Sequence, residues 1–282
     1  MLKDRLLTAA VAIPILLAIV FGGGTIGFLG LILVVNGIAL HEFWALFPHE
    51  SAAGAVDRTG YPLALVATSV LVIAFHGGDN LLVAEAMMGV LLVTLAASVV
   101  GSRDLRARSR TVFTTLTATL YVTVLLGHLV LIRALPGGAW WIFILLGIVM
   151  MSDTAAYFSG RAFGKHKLAP AVSPKKTVEG ALGGLAGSAL FAWIAVSALG
   201  WERIGWKHAL LLGLVTGAVS QIGDLAESLL KRGADVKDSG TIFPGHGGLL
   251  DRLDSILPGG VVLYYLIRTL GLDRAAALLG GS

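Results

Sequence analysis

Nine apolar runs follow one another along this chain, and they limit its fold more than any other feature. They cover approximately residues 6–21, 25–40, 61–75, 81–100, 112–135, 139–158, 179–199, 208–230 and 255–272. A bilayer offers no hydrogen-bond partner to a backbone N–H or C=O, so a run that enters it must satisfy its own backbone as a helix. The runs are continuously apolar and lack the two-residue alternation of a barrel strand. The fold expected is an all-α integral membrane protein of about nine transmembrane helices, with a polar cavity facing the cytoplasm. A charged fraction of 13% agrees, against about 25% in soluble domains. The first three runs are short for a span of about 20 residues. Lys3, Arg5 and Arg58 can snorkel to close that gap. Lys3 and Arg5 ahead of an apolar run also suit a leader peptide, but no clear small-x-small cleavage site follows, only Gly22-Gly23-Gly24, so the run is read as a span.

Nine spans put the two ends of the chain on opposite sides. Of the 21 lysines and arginines, 16 fall on the side of the N-terminus. The other five are Arg133, Arg203, Lys207, Arg268 and Arg274. Positive residues stay inside, so the N-terminal side is cytoplasmic and a multi-pass protein of the inner membrane is expected. The four arginines of 102–110 read as a topogenic, lipid-facing loop, and His41-Glu42-Phe43-Trp44 as an interface anchor, with a site role for Glu42 as the alternative. No internal repeat is visible, which counts against transporter folds built from duplicated halves. Residues 1–135 form an N-terminal region of about five spans, and residues 136–282 a catalytic region of about four.

The chemistry gathers in 228–255, where Lys231, Arg232, Asp235, Lys237, Asp238, His246, Asp251, Arg252 and Asp254 crowd one connection between spans. Charge concentrated this way in a membrane protein marks chemistry or transport. Further acids lie inside spans. Asp153 shares a helix face with Tyr157 and Gly160, and Asp224 shares a stripe with Gln221, Ser228 and Lys231, with Glu227 on its shoulder. Asp251 and Asp254 are three apart at a helix start. Clustered carboxylates repel unless a cation joins them. Hard oxygen donors, in a chain with no cysteine, point to Mg²⁺ completed by water and substrate phosphates. His246, flanked by Gly245, Gly247 and Gly248, reads as a turn close to substrate rather than as a ligand. Ser173, Lys175, Lys176 and Thr177 precede the seventh helix, where hydroxyls, lysines and free N–H groups suit a polyphosphate.

The pattern Ser228-x2-Lys231-Arg232-x4-Lys237-Asp238-x-Gly240-x5-His246-Gly247-Gly248-x2-Asp251-Arg252-x-Asp254 resembles the signature of the phosphatidate cytidylyltransferase (CDP-diacylglycerol synthase) family. Asp153-Thr-x-Ala-Tyr157-x2-Gly160, Ser173-Pro-Lys-Lys-Thr177-x-Glu179-Gly180 and Gln221-x-Gly-Asp224-Leu-x-Glu227-Ser228 are similar to its other blocks. The resemblance implies that CTP and phosphatidic acid give CDP-diacylglycerol and pyrophosphate. It also implies a Mg²⁺-dependent homodimer, with a monovalent cation such as K⁺ as a second ion and no nucleic-acid partner.

On that basis Asp224, Asp251 and Asp254 are expected to hold Mg²⁺. Lys231, Lys237 and Arg252 would bind the CTP phosphates with Ser173, Lys175 and Lys176. Asp238 and Asp153 would order the shell, while Thr177, Ser228, Arg232, His246, Gly247 and Tyr157 would contact substrate. Two other readings stand beside this one: a CTP-dependent transferase for another membrane lipid, and a cation transporter. The lysines and arginines among the carboxylates weigh against the transporter.

Overall fold

The computed structural model describes residues 2–47, 61–99, 104–201, 204–240 and 247–277, with side chains from residue 10 to residue 274. Arg58, Arg103, Arg203 and His246 lie outside the described residues. In chain order the elements are α1 (Leu2–Gly22), α2 (Gly24–Leu46), α3 (Tyr61–Gly77), α4 (Asn80–Val99), α5 (Leu105–Ala118), a π-helical turn (Thr119–Val124) and α6 (Leu125–Ala134). They continue as α7 (Gly138–Phe163), β1 (Lys167–Ala169), β2 (Ser173–Thr177), α8 (Val178–Ala198), α9 (Gly205–Gly233), α10 (Leu250–Leu253), α11 (Ile256–Thr269) and α12 (Leu272–Ala277).

Among the described residues six helical stretches are long and apolar enough to cross a membrane: α2, α4, Leu105–Ala134, α7, α8 and α9. They match the second and the fourth to eighth apolar runs. The first and third runs form shorter apolar helices, Ala10–Gly22 and Tyr61–Gly77, and the ninth forms the 14-residue α11. The 29 residues of α9 extend about 43 Å, more than the hydrocarbon thickness of about 30 Å.

The chain divides into two compact units. One is Met1–Leu131 with Val236–Asp251, and the other is Ile132–Asp235 with Arg252–Ser282. The sequence places its division at residue 135. The signature segment itself is shared, since 236–251 belongs to the first unit.

In the first unit α2 is held along its length. Its Asn36 is fully buried and accepts from Thr123 Oγ1 in the π-helical turn at 2.8 Å. At its last turns Trp44 stacks on Tyr61 with centroids 4.4 Å apart, and Phe43 packs against Tyr121 at 5.9 Å. Helices in lipid gain nothing from excluding water, so polar bonds and close packing of this kind hold them together. Part of the arginine loop has structural work: Asp104 caps α5 through the amides of Arg106 and Ala107, and Arg108 Nη1 donates to the Ser98 and Val99 carbonyls that end α4.

In the second unit small residues bring α7, α8 and α9 into contact. Gly183 faces Ser159, Gly187 faces Ala155, Gly184 faces Ser152 and Gln221, and Gly217 faces Ser188. Between α7 and α8, the residues that the sequence places only as preceding a helix have a structure of their own. Residues 167–177 fold into an antiparallel hairpin that pairs Lys167 with Thr177 and Ala169 with Ser173. Thr177 ends it in an extended conformation and caps α8, its Oγ1 accepting from the Gly180 amide at 3.1 Å. A Cβ on Gly180 would lie 2.9 Å from the Ala156 carbonyl, so only glycine lets α8 begin this close to α7.

Candidate active site

Within the second unit, α7, the hairpin, the start of α8 and α9 surround a pocket of about 540 Å³. From α7 come Asp153, Tyr157 and Arg161, spaced four apart along one helix face. The hairpin supplies Lys175, Lys176 and Thr177, and α9 supplies Gln221 and Asp224. Ala156, Leu168 and Ala181 complete an apolar part of the wall. Lys176 Nζ forms an ion pair with Asp224 Oδ2. Arg161 Nη1 donates to the Tyr157 hydroxyl at 3.1 Å. Gln221 Nε2 donates to Ser152 Oγ at 3.2 Å and to the Ala181 carbonyl at 3.1 Å, which locks its amide across three helices.

A third carboxyl joins this field from the turn ahead of α11. Burial, and after it the Asp224 charge, push the half-buried Asp254 carboxyl up to about 7. The Ser255 amide, donating to Oδ1 at 2.6 Å, pulls the other way, and Asp153 adds to the rise. Arg252 lies within electrostatic reach of Asp153. Asp153, Asp224 and Asp254 therefore share one field with Lys176 and Arg252.

The donor chemistry fits a hard divalent cation, since it is all oxygen and the chain has no cysteine. Among the described residues no three His, Cys, Asp or Glu side chains close into a ready cage.

In the first unit Asp251 has different partners. Its Oδ2 accepts from the Gly248 amide at 2.8 Å and from the Ser239 amide at 3.0 Å, and its own amide donates to Ser239 Oγ at 3.3 Å. Gly247 turns the chain with φ at 80°, and a Cβ there would meet Asp251 Oδ2 at 2.7 Å. Lys237 and Asp238 are exposed on the same segment.

Comparison with known proteins now bears on this arrangement. The sequence profile of the cytidylyltransferase family matches residues 3–270. A phosphatidate cytidylyltransferase of Bacillus subtilis (strain 168) is 34% identical over 269 residues, 94% of this chain and 97% of that one. This chain belongs to the cytidylyltransferase family. A phosphatidate cytidylyltransferase of Brucella suis is 47% identical over 129 residues, 46% of this chain and 47% of that one. One from Haemophilus influenzae is 47% identical over 112 residues, 39% of each chain.

The remaining residues expected to act in this cytidylyltransferase family member are distributed as follows. Lys231 forms an ion pair with Glu227 at 2.5 Å, one helical turn back, and the Glu227 side chain is fully buried. Ser228 is half-buried and Arg232 exposed near the end of α9. Ser173 sits in the hairpin ladder opposite Ala169. His246 lies outside the described residues. Four residues gain roles that the sequence reading did not give them. Arg161 and Gln221 line the pocket, and both were legible as helical neighbours of Tyr157 and Asp224. Glu227 neutralises Lys231, as its i, i+4 spacing allows. Glu42 had no local signal, because its partners lie more than 200 residues further on.

Proposed function

We propose that this chain transfers the cytidylyl group of CTP to phosphatidic acid, giving CDP-diacylglycerol and pyrophosphate. The observation that carries this reading is a pocket in which the lysines of the hairpin face the carboxylates of α7 and α9, in a chain similar along nearly its whole length to a phosphatidate cytidylyltransferase. Lys175 and Lys176 bind phosphate oxygens, and Arg161 and Arg252 neutralise further anionic charge. A phosphate oxygen of phosphatidic acid attacks the α-phosphorus of CTP in line. The new P–O bond forms as the bond to the bridging α–β oxygen breaks, and the electron pair leaves with pyrophosphate. The nucleophile is already an anion, so positioning and charge neutralisation suffice without a dedicated base. Asp224 and Asp254 would hold Mg²⁺, with Asp153 ordering this shell. The ion, when bound, supplies positive charge to the phosphates of the transition state.

The same reading takes the protein as a homodimer in the inner membrane, crossing it about nine times, with the pocket open to the cytoplasm and a monovalent cation such as K⁺ as a second ion. The excess of lysine and arginine on the N-terminal side supports the orientation. The test is purified protein with radiolabelled CTP, phosphatidic acid and Mg²⁺. Label in the lipid phase supports the reading, and none overturns it. Ether lipids or polyprenyl phosphates offered in place of phosphatidic acid identify the acceptor, and ion flux into liposomes without substrate would favour a transporter instead.

A further inference from the structure

Glu42 is a carboxylate buried to 3% exposure four residues before the end of α2, inside the first unit. Its two oxygens are divided between consecutive backbone amides of the signature segment. Oε1 accepts from Leu249 N at 3.0 Å and Oε2 from Leu250 N at 2.8 Å. The segment is shaped to admit it, since a Cβ on Gly248 would lie 2.7 Å from Glu42 Oε2, and one on Gly240 would also run into the carboxylate. The helix that carries Glu42 is fixed on both sides of it, by Asn36 bonded to Thr123 and by Trp44 stacked on Tyr61.

We infer that Glu42 is a positioning residue for the transfer reaction: it clamps the Gly248–Leu250 backbone so that the Asp251–Arg252 turn is held in one conformation. The amides of Leu249 and Leu250 precede or open α10 and have no partner within that short helix, so an acceptor must come from elsewhere. Two adjacent donors need two acceptor atoms. A carboxylate provides both, whereas the amide of glutamine provides one and aims an NH₂ group at the second N–H. Size and packing alone would be served equally well by glutamine, which makes Glu42→Gln the informative change.

The inference rests on the activity proposed above, and one arm of its test is independent of that activity. Glu42→Gln, Glu42→Asp and Glu42→Ala are purified in detergent beside the parent. Hydrogen exchange at the Leu249 and Leu250 amides is expected to quicken roughly tenfold or more in Glu42→Gln, with α7–α9 unchanged. In the CTP assay Glu42→Gln is expected to lose roughly 30-fold or more in kcat, with the KM for phosphatidic acid within about threefold of the parent. Glu42→Asp, which keeps both acceptors on a shorter arm, recovers part of that loss. An inactive parent overturns the proposed activity and leaves exchange to judge the clamp. An active parent with Glu42→Gln at full kcat, or unchanged exchange at Leu249 and Leu250, overturns the inference. If Glu42→Ala fails to fold, Glu42→Gln and Glu42→Asp, which keep most of the side chain's volume, carry both arms of the test.

Discussion

Lys176, on the second strand of the hairpin, is ion-paired with Asp224 of α9. Both side chains remain more than a quarter exposed. A pair this open to solvent contributes about 1 kcal/mol or less to stability. Its larger consequence is local: it joins the hairpin to the carboxylate field and places an ammonium in the pocket. Lys176→Met is therefore expected to melt within a few degrees of the parent while losing roughly 100-fold in kcat/KM for CTP. Thermal unfolding and initial rates on the same preparation check both halves. Near-normal kcat/KM would remove Lys176 from phosphate binding.

Asp254 gives the metal-free protein a defined pH response. Its carboxyl moves from an ordinary value near 3.8 to about 7 in the folded chain. Between those values the unfolded chain has released the proton and the folded chain keeps it, so the folded state binds more protons. The contribution of Asp254 to stability is then complete below about pH 4 and lost as pH rises through about 7. Asp254→Asn is expected to flatten the fall in melting temperature between pH 5.5 and pH 8. If Mg²⁺ takes the place of that proton, as proposed, added Mg²⁺ should raise the melting temperature more at pH 8 than at pH 5.5. An equal rise at both values would detach Asp254 from the ion.

Asp251 is open to a different test, because its carboxylate serves two backbone amides. Asp251→Ala removes the oxygen, Oδ2, that both amides share. If fastening the turn is its work, activity falls and the Ser239 and Gly248 amides exchange faster, while the Mg²⁺ concentration for half-activation stays within about threefold. A shift of that concentration by an order of magnitude would make Asp251 a ligand.

Much of this was readable from residue order. Lipid leaves a spanning backbone the helix or the closed barrel, and continuous apolar runs without two-residue alternation pick the helix, so those runs gave the six long helices. Helical spacing put Asp153 beside Tyr157 and Gln221 beside Asp224, and those faces do meet in one pocket. The hairpin was hidden, because Ser173-Pro-Lys-Lys-Thr177 carries no apolar alternation and its strands are three and five residues long. Glu42 was hidden for another reason. A carboxylate beside tryptophan at a helix end looks like an interface anchor, and only the returning chain at Leu249 and Leu250 gives it partners. Asp251 illustrates the converse, since three-residue spacing to Asp254 says nothing of which backbone amides compete for its oxygens.

Orientation can be read directly, because the chain has no cysteine to remove. Arg106→Cys, near the start of α5, and Lys207→Cys, near the start of α9, both replace exposed side chains. With the N-terminal side in the cytoplasm, a membrane-impermeant maleimide is expected to label position 207 once the periplasmic face is exposed, and position 106 only after the inner membrane is opened. The reverse pattern would turn the protein over and take the pocket away from cytoplasmic nucleotide.

Glu227 and Lys231 form the most deeply placed ion pair among those described, with the Glu227 side chain fully buried and that of Lys231 15% exposed. Removing one member leaves a charge without its partner in α9, and a buried pair broken on one side costs about 3–5 kcal/mol. Glu227→Met is expected to destabilise the protein by that order, and Lys231→Met to do so similarly. The double change Glu227→Met with Lys231→Met restores packing without charge, so its melting temperature should return most of the way to that of the parent. Activity separates the two roles open to Lys231. If the lysine only neutralises Glu227, the double variant regains turnover along with stability. If its ammonium also meets substrate phosphate, the double variant folds well and still turns over roughly 100-fold more slowly, because no cation has been restored at that position.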